Sequence, residues 1–261
     1  IEIGKGLPVA VIGEKLNAYA EECKSLLDAK DMDGLVELGR EQVQSGARAI
    51  DMHIPVSSTV EREFIRELMI NFQQFGDVPL VFDIQEPDTL EMALRIYPGR
   101  ALINSISLEP SREGIIDLAR KYGAAIVGLT SGRYKLPVDA DERIKNGEEL
   151  ISLFNPEDRV DIVLDPLVFS VGVSPEQALE TLKALEHFNS KGYLTIIGLS
   201  NISYGLPKRS LLNRIFLSMA VSNGLDSVIL DPTDKDIIET LVASQTITGR
   251  ISVLDYIKKF K

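Results

Sequence analysis

Short apolar runs recur about every 25–35 residues along this chain, separated by segments of a different rhythm. They fall at 9–12, 49–52, 80–82, 101–103, 124–127, 162–164, 195–197 and 227–230. Apolar residues are nearly continuous within each run, as in strands covered on both faces. Between the runs the apolar positions take helical spacing. Val60, Phe64, Leu68, Phe72 and Phe75 form one such set. Ala178, Leu179, Leu182, Leu185 and Phe188 form a second, and Leu211, Leu212, Ile215, Phe216 and Met219 a third. Ser174-Pro175 reads as an N-cap followed by a first-turn proline, and Ser111 marks another helix start. Gly46, Gly123 and Gly224 sit just past helix ends, and the residues after Gly249 form a short amphipathic tail. Eight βα units without a linker predict one domain over residues 1–261, an α/β chain folded as a (β/α)8 TIM barrel.

The strands run into polar residues. In order these are Glu14 with Asn17, Asp51, Asp83, Asn104, Thr130, Asp165-Pro166, Ser200-Asn201 and Asp231-Pro232. In a barrel these ends ring one mouth, where active sites of this fold lie. A single Asp or Asn after a strand is commonly a cap or turn former. Asp83, Asn104 and Asp165 are the least cap-like, because two or more residues separate each from the next helical segment.

Composition narrows the chemistry. A net charge of -11 argues against nucleic acid as the main partner, since phosphate binding needs a basic footprint. No apolar run approaches a membrane span, and no export signal is evident at the start. With a single cysteine, Cys23, no intramolecular disulfide forms, and a cytoplasmic location is expected. Cys23 itself reads as a structural residue. Two histidines, His53 and His187, cannot build a three-histidine zinc site, and no metal site is expected. Neither a G-x-G-x-x-G nor a G-x-x-x-x-G-K-[ST] phosphate cradle is present, nor a G-x-S-x-G elbow. No lysine falls inside an expected strand, which weakens a Schiff-base reading. A ring of amides and carboxylates remains. It suits a flat heterocycle with an amide-like edge, such as a pterin or a purine.

The same residues carry a family resemblance over nearly the whole chain. The segments are Ile12-Gly-Glu-Lys-Leu-Asn17, Gly46-Ala-Arg-Ala-Ile-Asp51, Phe82-Asp83, Ile103-Asn-Ser105, Gly128-Leu-Thr130, Leu164-Asp-Pro166, Gly198-Leu-Ser-Asn-Ile-Ser203 and Arg209-x-x-x-Asn213-Arg-x-Phe-Leu. The chain resembles the pterin-binding methyltransferases that move a methyl group between methyltetrahydrofolate and a corrinoid protein. These are relatives of the folate module of cobalamin-dependent methionine synthase and, more distantly, of dihydropteroate synthase. The resemblance implies that Asp83, Asn104 and Asp165 hold the pterin, that Asn201 sits near nitrogen 5, and that Arg209 lies at the folate site. It places Glu14 and Asp51 among the substrate-binding residues. It also implies 5-methyltetrahydrofolate or tetrahydrofolate as substrate, a corrinoid (cobalamin) carried by a partner protein, and a homodimer. A tertiary amine is a poor leaving group, so nitrogen 5 needs a proton or strong hydrogen bond before its methyl departs; an amide can serve both protonation states. No D-x-H-x-x-G corrinoid module occurs in this chain.

Departures from the family pattern stand at His53, where relatives often carry Asn, and at Tyr204, where a relative can carry a polar amide. His53 reads either as a rim residue or as a tuned proton donor. Tyr204 reads either as a ligand-stacking ring or as a shield of the mouth. His187 reads as a surface histidine. Arg133, Tyr134 and Lys135 read either as contacts to a folate tail or as a surface loop. The basic site that dihydropteroate synthesis needs late in the chain has no clear equivalent. Two further functions fit the residues. One is a magnesium-dependent lyase or isomerase using Asp83, Asp165 and Asp231. The other is a barrel that binds folate or a partner without catalysis.

Overall fold

A computed structural model describes residues 2–57, 60–74, 78–158 and 160–261. Phe75 of the first helical set lies outside them. Eight parallel strands pair in sequence order and close, β8 returning to β1. They are β1 Ala10–Asn17, β2 Ala49–His53, β3 Leu80–Phe82, β4 Leu102–Ile106, β5 Ala125–Leu129, β6 Ile162–Asp165, β7 Leu194–Gly198 and β8 Ser227–Leu230. Ten helices are described: α1 Glu21–Asp28, α2 Met32–Gln44, α3 Arg62–Gln74, α4 Pro87–Ile96, α5 Glu113–Tyr122, α6 Ala140–Ser152, α7 Gln177–Ser190, α8 Arg209–Ser222, α9 Lys235–Ile247 and α10 Val253–Phe260. The predicted TIM barrel is the observed fold.

The core has two concentric parts. Inside the barrel, one residue from every strand forms an apolar belt: Ile12, Ala49, Val81, Leu102, Val127, Val163, Ile196 and Ile229. Outside it, the alternate strand residues pack against the helices, as Val11, Ile50, Phe82 and Ile103 do with Leu35, Leu68 and Leu90. Period-two alternation assigns each side chain to one part or the other.

Several local expectations change. β1 is longer than its apolar run and carries Glu14 to Asn17 within it, so Lys15 does lie in a strand. The Lys15 Nζ pairs with Glu22 of α1 at 3.0 Å. Ser174 does not cap α7. The cap position is Glu176, without a side-chain bond, and the Ser174 hydroxyl donates to the Glu176 carboxylate instead. Ser111 lies in a 3-10 turn, Pro110–Arg112, ahead of α5. Gly46, Gly123 and Gly224 all have positive φ just past their helices, as expected. The third apolar set splits across α8. Phe216 is buried, whereas Leu211, Ile215 and Met219 are exposed, because the barrel-facing stripe runs through Asn213, Leu217, Ala220 and Val221.

The N-terminal end of the barrel is held by Asp226, whose side chain is fully buried. Its Oδ2 accepts the Thr195 amide at 3.0 Å and hydroxyl at 3.1 Å, and pairs with Lys5 Nζ at 2.6 Å. Arg250 approaches Oδ1 at 4.0 Å. Removing the anion strands these donors, so Asp226→Ala is expected to destabilise the fold by about 3 kcal/mol in chemical denaturation. A loss under about 1 kcal/mol, the level of an exposed pair, would contradict this assignment.

Candidate functional site

The mouth follows from the same two-residue repeat. Stepping two residues from each belt position toward the C-terminal end gives Glu14, Asp51, Asp83, Asn104, Leu129, Asp165, Gly198 and Asp231. Six of the eight are carboxylates or amides, so a polar ring sits directly on the apolar belt. Five of the predicted site residues, Glu14, Asp51, Asp83, Asn104 and Asp165, belong to it.

Two irregularities aim these residues. The β1–β2 register shifts between Gly13 and Leu16, and the β4–β5 register between Ile103 and Ile106. Bulges of this kind re-aim side chains at barrel rims. At β1 the freed Lys15 amide is satisfied by Gln42 Oε1 at 2.9 Å, from a fully buried side chain of α2. A Cβ at position 13 would lie 2.3 Å from that oxygen, so any larger residue there displaces the Gln42 amide from this bond.

On one side of the ring, Asn104 Nδ2 donates to Asp51 Oδ1 at 3.2 Å. Asp83 lies against Asp51, and His53 Nδ1 comes within 2.7 Å of Asp83 Oδ2. That contact is close but out of line for a ring N–H bond. Gln85 donates to the other Asp83 oxygen at 2.9 Å. Burial first, and Asp83 second, push the Asp51 carboxyl up to about 7. His53 is raised from its ordinary value chiefly by its contact with Asp83, against an opposing effect of burial. Its ring packs at a tilt of 37° against Tyr19, with centroids 5.3 Å apart.

Across the mouth, burial pushes Asp165 up to about 7, opposed by the Leu167 amide, which donates to Oδ1 at 2.8 Å, and by the charge of Arg143. Glu14 is also raised, mainly by burial. Its Oε2 accepts the Ser200 hydroxyl at 3.0 Å, tying β1 to the loop after β7.

Asn201 stands apart from the ring. It is exposed, on the 3-10 turn Leu199–Ser203, and Gly198 leaves room for its amide: a Cβ at 198 would lie 3.0 Å from Asn201 Nδ2. Arg209 is occupied in holding this turn, with Nε donating to Ser203 Oγ at 3.1 Å and Nη2 to the Ser200 carbonyl at 2.8 Å. It lines a small cavity of about 200 Å³ with Glu14, Asn213, Asp231 and Asp234. Thr130 is buried with its Oγ1 unpartnered, and its carbonyl accepts from Asn146 at 2.9 Å. Asp231 accepts the Thr233 amide and hydroxyl at 2.9 and 2.6 Å, a local turn. Arg133 and Lys135 pair with Glu149 and Glu142 of α6. His187 lies 3.4 Å from Glu148 on the outer wall. Cys23 is fully buried, and burial pushes its thiol up to about 11. A larger cavity, about 550 Å³, lies at the opposite end of the barrel by Tyr97, Arg100 and Leu194, away from the ring.

Comparison with known proteins gives the family. The sequence profile of the pterin binding enzymes matches residues 13–231. The chain belongs to that family. It is 24% identical over 249 residues to the methylcorrinoid:tetrahydrofolate methyltransferase of Eubacterium limosum, covering 92% of this chain and 91% of that protein. It is 27% identical over 240 residues to the methionine synthase of Mycobacterium leprae (strain TN), covering 85% of this chain and only 20% of that one. Among solved structures, dihydropteroate synthase from Thermus thermophilus superposes with a TM-score of 0.67 at 23% identity, covering 94% of this chain and 99% of that one. The Yersinia pestis enzyme of the same name superposes at 0.70 and 15% identity, covering 94% and 95%. These two likenesses establish the fold. No helix among the described residues is long and apolar enough to cross a membrane.

The raised carboxyls have a consequence for stability. In the unfolded chain an aspartate ionises near pH 4, whereas Asp51 and Asp165 keep their protons to about 7. As pH rises through that window the unfolded state loses these protons first, so the stabilisation they give at low pH is lost. The Asp51→Asn, Asp165→Asn double variant is expected to gain stability relative to wild type between pH 5 and pH 7.5, read as the difference in Tm. A difference independent of pH would contradict the shifts.

Proposed function

We propose that this chain catalyses methyl transfer between 5-methyltetrahydrofolate or tetrahydrofolate and the cobalt of a separate corrinoid protein, with the pterin bound in the barrel mouth. The observation that carries this reading is the inward ring, in which Asp51, Asp83, Asn104 and Asp165 converge above an apolar floor. The name of the Eubacterium limosum relative, aligned along nearly its full length, supports the same choice.

The donor set fits a pterin. Asp165 has one oxygen fixed by the Leu167 amide, which leaves acceptor capacity for the N–H groups of a 2-amino-pyrimidinone edge. Asn104 both donates and accepts, and Asp83 supplies a further acceptor. Asn201, at the rim over Gly198, is the group for nitrogen 5: it donates to the nitrogen as negative charge develops there and accepts when a proton is present. The corrinoid supplies the atom that takes or gives the methyl group. Glu14 and Arg209 hold the turn that carries Asn201. Exposed Tyr19, Tyr134, Val173 and Tyr204, on four different loops of the mouth, give a partner an apolar rim to dock on. The exposed stripe Leu211, Ile215, Met219 on α8 supports a homodimer. A single buried thiol suits a cytoplasmic location.

The magnesium reading fits less well. Asp83 is engaged by His53 and Gln85, and Asp231 by Thr233. Among the described residues no three His, Cys, Asp or Glu side chains converge to hold a cation.

The test follows cobalt absorbance with 5-methyltetrahydrofolate and a reduced corrinoid protein, alongside calorimetry of folate binding. Asp165→Ala is expected to weaken folate binding by at least about tenfold. Asn201→Ala is expected to lower the rate about a hundredfold with folate affinity little changed. Absence of folate binding at millimolar ligand would refute the reading. Binding without spectral turnover would leave a non-catalytic folate-binding barrel.

A further inference from the structure

We propose that Arg143 is the positioning residue for Asp165: its buried guanidinium clamps the loop after β6 in the one backbone course that holds the Asp165 carboxylate at the mouth. This rests on the pterin reading for its functional consequence, but not for its structural one.

Arg143 is out of place by ordinary rules. It lies in the first turn of α6, where the helix dipole disfavours a cation, and its side chain is fully buried. Its hydrogen bonds explain the position. Nε donates to the Pro166 carbonyl at 2.7 Å and Nη1 to the Asp139 carbonyl at 3.0 Å. Nη2 donates to Gln177 Oε1 at 2.8 Å and reaches the Leu167 carbonyl at 3.5 Å. The guanidinium faces the Phe169 ring, 5.1 Å from its centroid. Thr181 Oγ1 donates to the same Leu167 carbonyl at 2.8 Å, and Gln177 Nε2 donates to the Val138 carbonyl at 2.6 Å, so the clamp is itself braced by α7.

The clamped segment needs such support. Leu167 has φ +61, a left-handed conformation that a branched side chain rarely adopts. Pro166 has no N–H, so its carbonyl is the only backbone group by which that residue can be held. In this conformation the Leu167 amide points back to Asp165 Oδ1. Arg143 therefore acts on Asp165 twice, through the carbonyls that set the turn and through its charge, which favours the carboxylate. Arg143 in turn faces Glu180 and Asp139. A lysine supplies a point charge but not a planar fork that serves several carbonyls.

The test compares wild type with Arg143→Lys by carbon-detected titration of the Asp165 carboxyl, amide exchange at Leu167 and folate calorimetry. The expected result is an upward move of the Asp165 midpoint, faster Leu167 exchange and folate binding weakened about tenfold, with kcat at saturating folate little changed. In an Asp165→Asn background the same substitution is expected to leave folate affinity within about twofold. Gln177→Ala, which unseats the fork and keeps the charge, is expected to speed Leu167 exchange in the same way and serves if Arg143→Lys fails to fold. Folded variants with an unmoved Asp165 midpoint and unchanged Leu167 exchange would overturn the proposal. The titration and exchange need no folate. Wild type that fails to bind folate would therefore refute the proposed function while these two readouts still decide the role of Arg143.

Discussion

The two-residue repeat of a closed parallel barrel fixes almost everything at the mouth. Ile12, Ala49, Val81, Leu102, Val163 and Ile229 point inward because the barrel needs an apolar filling, and Glu14, Asp51, Asp83, Asn104, Asp165 and Asp231 then point inward as well. Within a regular strand one does not turn without the other, and only the irregularities in β1 and β4 adjust the aim. The result is a crowded set of acids above a dry floor. Several charges of one sign in such a place are costly, and the cost is met by protonation and pairing. Asp51 and Asp165 hold their protons to about 7, and Asp83 is matched by His53. The mouth is thus a site of weakly held protons, suited to a ligand that brings N–H donors and favours the carboxylate form.

The two strands whose inward residues are not polar define the rest of the geometry. Leu129 leaves the β5 side apolar. Gly198 leaves a gap over β7, into which the Asn201 amide leans. The loops that carry Asp165 and Asn201 are each held by an arginine working on backbone carbonyls, Arg143 on Pro166 and Leu167, Arg209 on Ser200. A guanidinium can bind several carbonyls at fixed angles, which suits a loop that must present one side chain and little else.

The strands and their order were legible because a strand buried on both faces leaves an unbroken apolar run, and eight such runs admit few architectures. Asp83 and Asp165 were legible as inward-facing because no helix start was near enough to claim them as caps. What the sequence concealed depended on distant contacts. Lys15 lies within β1 because Gln42, far along the chain, repairs the bulge beside it. Leu211, Ile215 and Met219 share a period with the buried stripe of α8, and periodicity alone does not say which side meets the barrel. Arg209 was placed at the folate site by the family resemblance alone; the loop contacts of its Nε and Nη2 depend on a turn that the sequence does not reveal. Arg143 gave no signal at all: a single arginine in a helix rich in charge reads as a surface residue until its carbonyl partners are known.

On binding, the pterin edge of the proposed ligand would replace protons held by the buried carboxyls of the mouth. The most direct measurement is the number of protons exchanged when 5-methyltetrahydrofolate binds, obtained by calorimetry in buffers of different ionisation enthalpy across pH 5.5 to 8.5. If the ligand selects the ionised form of Asp165, whose carboxyl lies at about 7 in the free protein, binding releases protons below that pH, and affinity rises with pH until it levels off above it. Proton uptake on binding, or an affinity that does not change across this range, would contradict the account.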